Sequence, residues 1–379
     1  MNYQKKRCTR YKTGYRKTFC KTIEQNILTH YSEIQGAPME TALHSFLSNS
    51  NIFFSLALLC LSLYTLGKGA DVLVDNAVVL SLRWGVPKMV LGATLVSLGT
   101  TLPEASVSVL AAIRGNADLA LGNAIGSIIA DTGLILGLAA IIGVLPVNKQ
   151  LIHRQGLLQI SAAVLLAVVS LPFFSPDETG KIYQWMGWVF VALLAGYLYI
   201  SFKWTKDAMG TVKADSLEAT AEEKQKPLVV TFIFMIIGIA VIIISSKALI
   251  PAVEVVAIRV GIPQSIIAAT LVAFGTSLPE LITAITAVRK GHGELAVGNI
   301  IGADILNVLF VLGTAAAVTP AGIIVPVYFF YLQIPSMIII LLVFRYLSTR
   351  KSGIISHRGG ALLLSLYIIY LVLNFFIKG

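Results

Sequence analysis

Two glutamates stand in otherwise apolar surroundings: Glu104 ends the run GATLVSLGTTLPE (92–104), and Glu280 ends AATLVAFGTSLPE (268–280). A carboxylate inside an apolar helix is expensive, and by default it marks a functional site. Each glutamate follows a proline and lies four residues after a threonine, Thr100 or Thr276. Proline has no N–H and disturbs the turn before it, which is expected to free carbonyl oxygens near Gly99 and Thr100. Helical spacing sets Thr100, Thr101 and Glu104 on neighbouring parts of one face, and Thr276, Ser277 and Glu280 form the matching set. Hydroxyls, carbonyls and carboxylates are hard donors. They suit sodium, or calcium with its roughly six to eight oxygen ligands.

A second polar layer follows each motif, opening with GNAIGS (122–127) and GNIIGA (298–303). Asn123, Ser127 and Asp131 recur every fourth residue as a stripe, and the equivalent stripe reads Asn299, Ala303 and Asn307. Asp131 is therefore expected to face Asn307. Asp304 lies beside the stripe, where touching the site and capping a neighbouring helix are equally open. Lys68, Asp71, Asp75, Lys247 and Glu254 are expected to pair with one another or sit near the membrane interface.

These residues need elements to position them. An offset of 176 residues carries Glu104 onto Glu280, and without a gap it also aligns Gly85 with Gly261, Pro87 with Pro263, Gly122 with Gly298 and Gly126 with Gly302. So long an unbroken register indicates duplication of a whole structural unit, with the site between the halves. The chain is 56% hydrophobic and 13% charged, with a mean hydropathy of +0.81, which excludes an ordinary soluble domain. Lipid offers the backbone no hydrogen-bond partners, and long apolar runs select helices over a barrel. The expected fold is all-α and polytopic, with ten spans near 52–80, 87–113, 117–143, 156–174, 184–203, 228–257, 263–288, 294–318, 322–345 and 360–377. Five spans per half is an odd number, so the second repeat must be inverted relative to the first. The chain then divides into a basic tail (1–50) expected to be disordered, a first five-helix repeat (51–203), a cytoplasmic linker (204–227) and a second repeat (228–379).

Basic residues cluster in alternate loops, with Lys149, Arg154, Arg289, Lys290, Arg345 and Arg350 on one side and Arg114, Lys181 and Arg259 on the other. The positive-inside rule places the first group and the linker in the cytoplasm and both termini outside a plasma or inner membrane. The basic block from Lys5 to Lys21 opposes that placement. Residues 1–38 read as a disordered tail or an extension upstream of a start at Met39. The net charge of +10 suits anionic lipid headgroups, and a nucleic-acid partner is not expected. Cys8, Cys20 and Cys60 form neither a disulfide framework nor a zinc spacing. No cofactor is expected, and a monomer is compatible with the sequence.

The paired GTTLPE and GTSLPE segments, each followed by GNxxG, resemble the two alpha-repeats of the cation/calcium exchanger superfamily, in particular its prokaryotic sodium/calcium exchanger-like members. The resemblance runs from about residue 51 to the end. It implies ten helices, with the first and sixth sliding against the other eight to alternate access. It also implies that Glu104 and Glu280 coordinate Ca2+ with help from the carbonyls of Thr100 and Thr276, while neighbouring hydroxyls, including those of Thr101, Ser277 and Ser127, coordinate Na+. Sodium-coupled members commonly carry Asn in the third helix and Asp in the eighth. This chain has Asp131 and Asn307, the same pair exchanged between halves, and Ala303 replaces a serine usual after the second GNxxG.

The expected function is exchange of Ca2+ for a monovalent cation, Na+ before H+ or K+. An empty acidic cluster would drag bare charge across a low-dielectric barrier, which makes exchange obligatory. Crowded carboxylates also compete for protons, so acid should inhibit calcium binding. A cation channel could use similar groups, but an inverted repeat around a single paired site favours a carrier. The chain carries no GxSxG, HExxH or GxGD signature, so an enzyme is not expected.

Overall fold

The computed structural model describes residues 38–172, 180–208, 227–260 and 275–378. Residues 1–37, most of the linker, Cys8, Cys20 and the stretch 261–274, which opens the second motif, lie outside the described residues.

A short helix α1 (Pro38–Asn49) precedes the long helix α2 (Ile52–Trp84). The second apolar run is broken into α3 (Lys88–Thr100) and α4 (Leu102–Ile113), bent by 43°. The break follows from Pro103, which cannot donate to the Gly99 carbonyl one turn back. Then come α5 (Leu119–Ile142), α6 (Lys149–Ser170), α7 (Gln184–Ala208) and the second long helix α8 (Leu228–Arg259). The described part of the seventh run is α9 (Leu278–Arg289), followed by α10 (Gly293–Ala317), α11 (Phe329–Ser348) and α12 (His357–Lys378). Among the described residues, eight helices are long and apolar enough to cross a membrane, or nine with the bent pair as one span.

Burial sorts these helices into layers. The apolar stretches of α5 and α10 are 78% and 94% buried inside the protein, against 22% and 28% for α2 and α8. The first pair forms the centre and the second faces lipid. At 33 and 32 residues, α2 and α8 are about 50 Å long, which exceeds the roughly 30 Å hydrocarbon core and requires tilt. They cross where Gly238 meets Gly69: a Cβ on Gly238 would lie 3.0 Å from the Gly69 carbonyl oxygen. Beside this crossing the Ser245 hydroxyl donates to Thr65 Oγ1 at 2.8 Å. Glycine also brings α3 against α10, since a Cβ on Gly302 would sit 2.5 Å from the Ala93 carbonyl oxygen and one on Gly298 would strike the Met89 backbone.

Local conformation repeats at the sequence offset to within one residue. One π-helical segment covers Ala130–Ile135 and another Asn307–Leu312, so Asp131 and Asn307 occupy matching wide turns. Gly115 and Gly291, also 176 apart, both end their helices with positive φ, 86° and 77°.

Three sequence expectations need correction. The all-α reading omits two antiparallel pairs: β1 (Leu145–Pro146) with β4 (Ile354–Ile355), and β2 (Gly180–Ile182) with β3 (Ile323–Val325). These pairings satisfy loop backbone groups between the spans. Because β3 takes up the start of the 322–345 run, α11 begins only at Phe329. The run 156–174 begins earlier than expected, at Lys149, because the Asn148 side chain accepts from the N–H groups of Gln150 and Leu151 and caps a polar first turn. Finally, residues 38–49 of the expected tail are helical. Leu47 packs on Ala252 and Val255, and Arg259 donates to the carbonyls of Leu47, Ser48 and Ser50.

Candidate cation site

The bend between α3 and α4 places Glu104 in the first turn of α4, and Glu280 holds the same place in α9. The residues at the two breaks have nearly the same backbone: Thr101 at φ −82°, ψ −4° and Ser277 at φ −86°, ψ 9°. Glu104 is fully buried and Glu280 is 1% exposed. Thr100, Thr101, Ser277, Ser127, Asp131 and Asn307 are also buried, and Thr276 is partly buried.

The halves exchange partners across the centre. Thr100 Oγ1 donates to Asn299 Oδ1 at 3.4 Å, and the equivalent Thr276 Oγ1 donates to Asn123 Oδ1 at 3.1 Å. Asn123 Nδ2 in turn donates to Ser108 Oγ at 3.0 Å and to the Glu104 carbonyl at 3.4 Å. The residue equivalent to Ser108 is Ala284, and Asn299 Nδ2 is accordingly buried without a partner.

A second asymmetry follows from Ala303. Ser277 Oγ donates to Ser127 Oγ at 3.3 Å and also bears on Asp131, whereas Thr101 has only Ala303 at the equivalent place. Its hydroxyl instead donates to Glu280 Oε1 at 3.4 Å. Both carboxylate oxygens of Glu104, Oε2 of Glu280, Oδ1 of Asp131 and Oδ1 of Asn307 are buried with no hydrogen-bond partner. The acids also sense one another: Glu104 interacts electrostatically with Glu280 and Asp131, and Asp131 with Glu280 and Asp304. Buried acceptors without donors are costly unless a cation or proton completes them. Among the described residues, no three Asp, Glu, His or Cys side chains form a set able to hold an ion by themselves. A cation held here would have to draw also on hydroxyl, amide and carbonyl oxygens, the donor set that hard cations accept.

Asp304 caps no helix. Its Oδ2 accepts from Thr132 Oγ1 at 2.6 Å and from Gln159 Nε2 at 2.5 Å. Gln159 was not among the sequence candidates, although a glutamine within an apolar span is a usable signal. Tyr197 also escaped: from α7 its hydroxyl donates to the Ala93 carbonyl at 2.7 Å, beside the π-helical segment Gly92–Val96. Outside the centre, Lys68 pairs with Asp71 at 3.9 Å as expected, and Lys290 unexpectedly bridges Asp71 at 3.1 Å and Asp75 at 2.7 Å. Burial works against the Lys290 ammonium, but hydrogen bonds and charge from Asp75 and Asp71 outweigh it and raise its pKa above the ordinary value near 10.5. Glu254 pairs with His44 of α1 at 3.7 Å.

Fold and site together define a polytopic helical membrane protein with a buried, oxygen-rich acidic centre. The sodium/calcium exchanger protein family matches residues 54–203 and 230–376. The inner membrane protein YrbG of Escherichia coli is 32% identical over 329 residues, covering 86% of this chain and 98% of its own. The sodium/calcium exchanger MaX1 of Methanosarcina acetivorans is 30% identical over 356 residues, covering 86% and 100%. The solved sodium-calcium exchanger NCX_Mj, soaked with 10 mM Na+ and zero Ca2+, superposes with a TM-score of 0.70 at 27% identity, covering 85% of this chain and 99% of its own. This chain is an integral membrane protein of the sodium/calcium exchanger family.

Proposed function

We propose that the protein is a secondary antiporter exchanging Ca2+ for Na+ by alternating access, with Glu104 and Glu280 as the central calcium ligands. The observation that carries this reading is the set of buried, unpartnered carboxylate oxygens on Glu104 and Glu280, each beside a hydroxyl–amide pair drawn from both halves. Thr100 and Thr276 supply carbonyls next to the breaks. Thr101, Ser277 and Ser127 supply hydroxyls for sodium, and Asp131 with Asn307 completes the centre. Ten helices in two inverted five-helix repeats, with both termini outside the cytoplasm, accommodate this site. The repetition of glycine caps at the 176-residue offset, and of π-helical turns within one residue of it, supports the duplication, as do the two strand pairs, each of which joins a loop of one half to a loop of the other.

Bound ions neutralise the acids while the barrier moves, and an empty centre holds the barrier in place. The moving parts in this reading are α2 and α8. They pack on each other at small residues and face lipid along most of their length, and α8 touches both breaks, since its Ile239 and Ile250 lie over Gly99 and Gly275. The test is 45Ca2+ uptake into proteoliposomes preloaded with Na+, K+ or a proton gradient. Uptake should require internal Na+ and should be abolished by Glu104→Gln or Glu280→Gln. Flux indifferent to the opposing cation, or normal exchange in both variants, overturns the proposal.

A further inference from the structure

Asp304 is 2% exposed, in the most enclosed helix of the protein. Both side-chain donors that reach it, Thr132 from α5 and Gln159 from α6, are spent on Oδ2, and Oδ1 is buried with no partner. One turn from Gln159 on the same face of α6, Gln155 is 1% exposed and its Oε1 is likewise unpartnered. Asp131, whose Oδ1 also has no partner, interacts electrostatically with Asp304. Among the described residues, no lysine or arginine pairs with Asp304. Asparagine would serve as well for receiving two hydrogen bonds on one oxygen. A carboxylate adds a second oxygen that no donor meets, and burying such an oxygen in charged form is strongly unfavourable unless a cation or a proton completes it.

We infer that Asp304 and Gln155, held in place by Thr132 and Gln159, form a second cation subsite beside Asp131 that takes a monovalent cation. The inference rests on the exchanger reading and deepens it. One carboxylate oxygen, one amide oxygen and a shared edge of Asp131 balance a single charge, too few ligands for the roughly six to eight that calcium takes. This subsite adjoins the centre through Asp131, which interacts with both Glu280 and Asp304, and it gives the chain a place for a counter-ion on ligands other than Glu104 and Glu280.

The test uses the full chain in proteoliposomes, with calcium efflux measured against graded external Na+ and, separately, K+. Asp304→Asn, which keeps an oxygen for Thr132 and Gln159, should raise the half-saturating monovalent concentration at least tenfold and lower its Hill coefficient, with the calcium Kd within threefold of wild type. Gln155→Leu should move the same concentration at least threefold, and it stands in if Asp304→Asn does not fold. Unchanged monovalent dependence in the folded variants overturns the inference, as does a change confined to the pH profile, or a parallel loss of calcium binding and melting temperature. Glu280→Gln runs alongside. If wild-type flux ignores the opposing cation the antiporter reading itself fails, whereas counter-ion-dependent wild-type flux, lost in Glu280→Gln, together with a silent Asp304→Asn removes the second subsite alone.

Discussion

Glu104 carries two unpartnered oxygens and Glu280 only one, although their sequence surroundings are nearly the same. The difference traces to position 303, where alanine leaves Thr101 without the serine that Ser277 finds at Ser127, and the Thr101 hydroxyl goes to Glu280. Introducing Ala303→Ser should therefore draw Thr101 back and remove this difference between the two half-sites. Sodium-driven calcium efflux should then half-saturate at about threefold lower Na+, a change of roughly 0.6 kcal/mol; an unaltered or weaker sodium response refutes this account of the asymmetry. Thr101→Val removes the hydrogen bond to Glu280 and should weaken calcium binding about tenfold, in line with roughly 1.4 kcal/mol for a hydrogen bond to a charged group. Isothermal titration of the purified variant measures it. The acids and hydroxyls were legible from the sequence because their types are expensive in lipid. Their partners across the halves were not, since Ser277 finds a hydroxyl at Ser127 whereas Thr101, facing Ala303 with no hydroxyl, turns to Glu280.

At the scale of elements, α3 approaches α10 so closely that glycine is required. Gly302→Val would drive a side chain into the Ala93 carbonyl and Ser97 Oγ. It should destabilise the protein by about 3 kcal/mol, near the upper end for overpacking, seen as a lower melting temperature in detergent. Gly126→Ala serves as the comparison, because a Cβ there meets nothing within 4 Å. The loop after α9 is tied to α2 through Lys290, Asp71 and Asp75, so any sliding of α2 must break or carry these pairs. Lys290→Met should raise the turnover of exchange severalfold and slightly lower the melting temperature. Since the pKa of Lys290 is raised in the folded protein, its stabilisation is full below about pH 10.5 and fades as pH rises through the higher folded value. The melting difference between wild type and Lys290→Met should accordingly be constant from pH 7 to 9 and shrink above that range; growth with pH contradicts the assignment. Apolar runs and the proline break were readable from the sequence, whereas the short strand pairs and α1 depend on distant loops and on Arg259.

For the molecule as a whole, a cycle of three Na+ against one Ca2+ would move one net charge, on which the membrane potential acts with about 2.3 kcal/mol per 100 mV. An imposed potassium diffusion potential, negative inside, should therefore alter initial calcium flux in proteoliposomes, and its reversal should reverse the effect. Flux insensitive to potential shows an electroneutral cycle and removes the three-for-one stoichiometry. The sequence by itself determined that the chain lies in a membrane, and it pointed to a duplicated unit with Glu104 and Glu280 at the centre of its chemistry. Lipid leaves the backbone few options, and a buried charge stands out in an apolar run. Only the tertiary structure decided which acceptors are left without donors, that Asp304 is held by Thr132 and Gln159, and that Lys290 ties α9 to α2. Those facts depend on which side chains meet from helices far apart in the chain, and hydropathy and spacing within one helix carry no information about that meeting.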